Sequence, residues 1–181
     1  MMIYDRIYEL AVDNHGLITS AEAKEIGISN ADLVQLAHRG RLTRIGHGVY
    51  RIYHYVPDPN DAYATAVILV GKDAYLYGVS VLAMHNLALV NPHYIYVATT
   101  YRVRKKIPPH IMLVPGESDA KLVYYDRILS QSVLDALLTC KPFVMSERLN
   151  VAIDDAVREG LITETEATMV RKEVLNEYKT A

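Results

Sequence analysis

The sequence predicts an α+β protein in two parts: three short helices with a β-hairpin, then a small mixed α/β region with a helical C-terminus. Three observations lead there. Thr19/Glu22 and Ser29/Asp32 have the spacing of helix-capping pairs and stand on either side of a glycine turn at Gly27. A β-rich run interrupted by Gly46-His47-Gly48 follows at once, which is a hairpin pattern. After Pro57-Asp58-Pro59-Asn60, a stretch that continues neither a helix nor a central strand, the pattern changes to strand-like runs and longer helices. The boundary placed there gives modules 1–56 and 60–181.

In the first module, Ile3, Ile7, Leu10 and Ala11 repeat at helical spacing with acids between them, so residues 3–13 form an amphipathic helix ending near Gly16. The Thr19/Glu22 pair starts a second helix, Ser20 to Ile26, which stops at Gly27. The Ser29/Asp32 pair starts a third, whose narrow apolar stripe is Leu33, Leu36 and Ala37 and whose end is Gly40. Leu42–Ile45 and Val49–Ile52 are the strands of the hairpin. Helix, turn, helix and hairpin in this order make a winged helix-turn-helix.

In the second module, residues 62–70 are apolar on every side and read as a buried helix. Residues 80–87 read as a short helix. Residues 94–98, 110–114 and 121–125 read as strands bounded by proline or glycine. Residues 132–139, 146–159 and 164–178 read as helices, the last behind a Thr163/Glu166 capping pair. Tyr75, Tyr77, Tyr94 and Tyr96 keep the two-residue period of sheet faces, so the fourteen tyrosines point to core and sheet packing before a base-stacking platform.

Composition narrows the function classes. With 181 residues and 51% hydrophobic content the chain can bury an ordinary core. A net charge of -2 excludes coating of nucleic acid by bulk positive charge but leaves room for one basic face. Cys140 is the single cysteine, which excludes a disulfide framework and a cysteine-rich zinc site and makes it a small core residue. No apolar run is long enough to span a bilayer and the N-terminus lacks a leader pattern, so a cytoplasmic location is expected.

The basic face is local. From His38 to His54 the chain carries Arg39, Arg41, Arg44 and Arg51 with three histidines and no acid, whereas residues 1–37 carry six acids against Arg6 and Lys24. On the third helix Ala31, Gln35 and His38 point away from the apolar stripe. The expected partner is double-stranded DNA. The contact residues are Ser29, Asn30 and Ala31 at the helix start, then Gln35, His38, Arg39 and Arg41, and on the wing Arg44, His47 and Arg51. The bland alternative is a solvated surface, which would suffice for one arginine but not for their one-sided run. Arg102, Arg104, Lys105 and Lys106 form a second basic cluster, read equally well as a further DNA contact or a solvated loop.

No catalytic residue, metal site or cofactor is expected: no glycine-rich phosphate loop, paired-histidine metal motif or serine elbow occurs. Asp154-Asp155 and Glu164/Glu166 fall in or beside helices, where solvated faces and caps account for them. A nuclease-related DNA-binding protein, a plain winged-helix regulator and a protein-binding winged helix are the alternatives.

Gly16-Leu17-Ile18-Thr19 through Arg41-Leu42-Thr43-Arg44-Ile45-Gly46-His47-Gly48-Val49-Tyr50, with Pro57-Asp58-Pro59, resembles the AbiEi antitoxin family of bacterial abortive-infection systems. Tyr77–Leu87 and Ser130–Leu138 extend the resemblance into the second half, with Gln131-Ser132 standing where many relatives carry Arg-Thr. The resemblance implies a winged helix that represses its own operon at inverted repeats. It also implies a C-terminal domain that counters a nucleotidyltransferase-like toxin in a type IV system, where the two proteins need not touch.

Overall fold

The computed structural model describes residues 2–176. The chain divides into two compact units, Met1–Lys72 with Val103–Ile107, and Asp73–Arg102 with Pro108–Ala181. The fold class is α+β.

The first unit runs α1 (Ile3–Val12), β1 (Leu17–Thr19), α2 (Ser20–Glu25), α3 (Asn30–His38), β2 (Leu42–Gly46), β3 (Val49–Ile52) and α4 (Asp61–Val70). The strands form an antiparallel sheet in the order β1-β3-β2, with Ile18 opposite Tyr50 and Leu42 opposite Ile52. The order of helix, turn, helix and hairpin is the one expected from the sequence. Strand β1 was not foreseen, because its three residues look in sequence like the approach to the Thr19 cap.

Both expected capping boxes form. The Thr19 hydroxyl accepts from the Glu22 N–H, and the Glu22 carboxylate accepts from the Thr19 N–H. Ser29 and Asp32 do the same at 3.2 and 3.0 Å. Both helices end in a Schellman motif: Ile28 N–H donates to Ala23 and Gly27 N–H to Lys24, then Arg41 N–H to Leu36 and Gly40 N–H to Ala37. Each motif needs a left-handed residue, which Gly27 (φ +75°) and Gly40 (φ +71°) supply without steric cost. Ile7, Ala11, Ile18, Ala23, Ile28, Leu33, Leu42, Tyr50 and Ile52 then meet in one buried core, so every element from α1 to β3 contributes and α3 is held by Leu33.

Helix α4 belongs to this unit, and the division by contacts falls after Lys72, beyond the turn at 57–60 where the sequence placed it. The reason is packing. Leu69 fills the space beside Gly46, where a Cβ would come within 2.4 Å of it, and Thr65 accepts from Arg51 at 2.8 Å. The turn itself is fastened: the Tyr55 hydroxyl donates to Asp58 at 2.9 Å and to Asp61 at 2.7 Å, and His15 Nδ1 lies 2.9 Å from Asp58. Burial and then the two carboxylates push the Tyr55 phenol pKa up. Burial would raise the Asp58 carboxyl, but the Asn60 N–H, the Tyr55 hydroxyl and His15 outweigh it and hold it below the usual range.

The second unit holds β4 (Tyr75–Leu76), α5 (Val79–Met84), β5 (Ile95–Thr99), β6 (Ile111–Pro115), β7 (Leu122–Tyr125), β8 (Ile128–Gln131), α6 (Val133–Cys140), α7 (Ser146–Arg158) and α8 (Glu164–Asn176). Its sheet has the order β6-β5-β4-β8-β7, with β5/β6 and β4/β8 parallel and the other pairs antiparallel. The three strands expected from sequence are β5, β6 and β7. The other two were missed for local reasons. Strand β4 is two residues long, so the Tyr75/Tyr77 alternation had no run around it long enough to read as a strand. Strand β8 returns from β7 through Asp126 and Arg127, both left-handed (φ 48° and 61°), a turn without the glycine that normally announces a two-residue hairpin.

Helix α5 is shorter than the expected 80–87, because Asn86 takes a left-handed φ of 55° and a Schellman motif closes the helix at Met84. Gln131 is buried: its side chain accepts from Gly78 N–H at 3.0 Å and donates to the Thr139 hydroxyl at 2.9 Å. Ser132 caps α6. The Thr163/Glu166 box forms, but the expected helix end at Tyr178 lies outside the described residues. Among the described residues no helix is long and apolar enough to cross a membrane.

Candidate nucleic-acid interface

Leu33 anchors α3 in the core, and Leu36 and Ala37 are half-buried beside it. A 100° step per residue then places Ala31, Val34, Gln35 and His38 together on the opposite side, and all four are exposed. Val34 was missed in the sequence reading. Its mark is an apolar residue three positions after Ala31 and outside the buried stripe, and at 56% exposure it is a free methyl surface of the kind that meets a thymine methyl.

The residues expected to contact DNA separate into groups. Gln35, His38, Arg39, Arg41, Arg44 and His47 are exposed, at the end of α3 and along the wing. The Arg44 Nε donates to the Gly46 carbonyl at 3.3 Å, which steadies the side chain beside the hairpin turn, and the Arg41 guanidinium lies 5.3 Å from the Tyr4 ring centroid. Ser29 is exposed, but its hydroxyl is committed to the Asp32 carboxylate at 2.5 Å. Asn30 accepts from the Ser20 hydroxyl at 2.8 Å. These two hold α2 and α3 in place.

Asp32 is the one acid on α3. Hydrogen bonds from the Ser29 side chain and backbone hold its carboxyl below the usual range, so it stays ionised in its cap.

Arg51 has another place. It is half-buried on the central strand, donates to Thr65 and lies 5.4 Å from the Tyr55 ring centroid, so its charge ties the sheet to α4. The second basic cluster divides between the units. Arg102 belongs to the second, whereas Arg104, Lys105 and Lys106 lie in the first, with Arg104 and Lys106 exposed and the Lys105 ammonium lowered in pKa by burial.

Three of the four acids weighed for catalysis are engaged elsewhere. Asp154 pairs with Arg171, Asp155 with Arg158 at 2.6 Å, and Glu166 caps α8. Burial pushes the Cys140 thiol up to about 12, which leaves it protonated and unreactive.

Helices α1 to α3 with the β2–β3 hairpin and its exposed basic edge have the arrangement expected of a winged helix-turn-helix. Over residues 5–53, from α1 to just past β3, the chain matches the model of a family described as transcriptional regulator, AbiEi antitoxin. The resemblance read from the sequence is therefore borne out across the helix-turn-helix and wing. That description is of a regulator and names no enzyme activity. No curated protein matches the chain.

Proposed function

We propose that the protein is a DNA-binding transcriptional regulator that acts as the antitoxin of a type IV toxin-antitoxin pair. The observation that carries the reading is the exposed face of α3, set by its caps and core beside an acid-free, arginine-bearing wing, in the segment that matches the AbiEi antitoxin family. Helix α3 enters the major groove, where Gln35, His38 and Val34 meet base edges. Arg39, Arg41, Arg44 and His47 meet phosphates on either side.

Arg104 and Lys106 add charge to the same unit and extend the phosphate contacts. The regulator represses its own operon at inverted repeats, and the second unit counters a nucleotidyltransferase-like toxin without a required direct contact. The test of the DNA reading is binding to the DNA upstream of its own gene, measured as salt is raised. Affinity that falls steeply with salt supports it, whereas salt-independent or absent binding refutes it and leaves the winged helix as a protein-binding module.

A further inference from the structure

The second unit contains a cavity of about 690 Å³, within the size range of small-molecule sites. Its walls come from the sheet and from two helices: Tyr77 beyond β4, Tyr96 on β5, Thr139 and Cys140 at the end of α6, and Arg148 in the first turn of α7. Most of the rest is valine and proline. Tyr77 and Tyr96 are cross-strand neighbours, joined by the Tyr77 N–H to Tyr96 carbonyl bond at 3.0 Å, so their rings share one face of the sheet.

The inner polar groups are already satisfied. Gly78 N–H and Thr139 both bond Gln131, and the neutral Cys140 thiol offers neither a thiolate for metal nor a nucleophile. What is left uncommitted in the lining among the described residues is the pair of tyrosine hydroxyls, the exposed Asn91 amide and the Arg148 guanidinium. Arg148 is the single charged residue of the lining and has no carboxylate partner there. Phe143 forms part of the same lining while 82% exposed, an apolar surface that an occupant would cover. Apolar walls, two phenols on one sheet face and one cation without a partner in the lining complement a flat apolar body bearing one negative charge.

We propose that this cavity binds a small planar aromatic carboxylate, with its ring against Tyr77 and Tyr96 and its carboxylate paired with Arg148. The site stands on the second unit alone and does not depend on DNA binding by the first.

The test uses the full chain with 2-naphthoate and its neutral isostere 2-naphthamide, followed by amide chemical shifts and calorimetry. Expected is saturable binding of naphthoate with shifts concentrated at 77–79 and 139–148, at least tenfold weaker binding of naphthamide, and loss of that difference in Arg148→Gln. Val144→Trp, which fills the cavity, abolishes binding of both while thermal unfolding stays cooperative. Equal affinity for the two probes, naphthoate binding unchanged in Arg148→Gln, shifts confined to other residues, or no saturable binding at millimolar concentration would overturn the proposal.

Discussion

Gln35 stands on the exposed face of α3, where a side-chain amide can bond N6 and N7 of adenine together, while Arg44 stands on the wing, where a guanidinium can pair with phosphate. The two substitutions therefore separate. Gln35→Ala is expected to reduce discrimination between operator and unrelated DNA by ~1–3 kcal/mol and to leave binding to unrelated DNA unchanged. Arg44→Ala is expected to weaken both alike and to lower the salt slope by about one. Competition titrations on the two DNAs read both effects, and equal losses for Gln35→Ala would remove its role in base readout.

Arg51 belongs to stability. Arg51→Ala breaks the bond to Thr65 and the contact with the Tyr55 ring, an expected loss of about 2 kcal/mol in urea unfolding. Gly16 pairs a φ of +68° with the Tyr55 ring, whose Cγ would lie 2.5 Å from an added Cβ. Gly27 has a similar φ and open space. Gly16→Ala should therefore destabilise clearly more than Gly27→Ala, for which the backbone cost of ~1–2 kcal/mol stands alone.

At the scale of elements, the placement of α3 depends on the cap at each end. Ser29→Ala is expected to cost about 1 kcal/mol at neutral pH. Asp32 adds a pH signature. Its folded pKa lies below the ordinary aspartate value near ~4, so its contribution is present above that value and is lost as pH falls through the lower folded one. The difference between wild type and Ser29→Ala should thus shrink on acidification below pH ~4, and a constant difference would detach the cap from Asp32 ionisation.

These caps explain why the first unit was legible in sequence: Thr19/Glu22, Ser29/Asp32, Gly27 and Gly40 each act within a few residues of the chain. What was illegible depended on distant pairing. The partner of Arg51 is fourteen residues away, β4 exists because β5 and β8 flank it, and the Asp126-Arg127 turn adopts left-handed geometry without a glycine. On the candidate interface the exposed arginines were foreseen, but the commitments of Ser29 and Asn30 to holding helices were not.

At the scale of the molecule, the whole chain carries a net charge of -2, yet the acids of residues 1–37 and the arginines beyond His38 are distributed one-sidedly within the first unit, and a local field of that kind can steer association with DNA. The proposed antitoxin role makes a separate prediction: co-expression of the full chain should restore growth of cells that produce a nucleotidyltransferase-like toxin from an adjacent gene, and Gln35→Ala should retain this rescue while losing operator preference. Absence of rescue would leave a plain regulator.

The most direct test of the central claim is fluorescence anisotropy of the full chain on a duplex from upstream of its own gene, over ~50–200 mM salt. DNA binding through α3 and the wing predicts a linear fall of log affinity against log salt, made shallower by about one in Arg44→Ala. A flat salt response, or a slope that Arg44→Ala leaves unchanged, would contradict it.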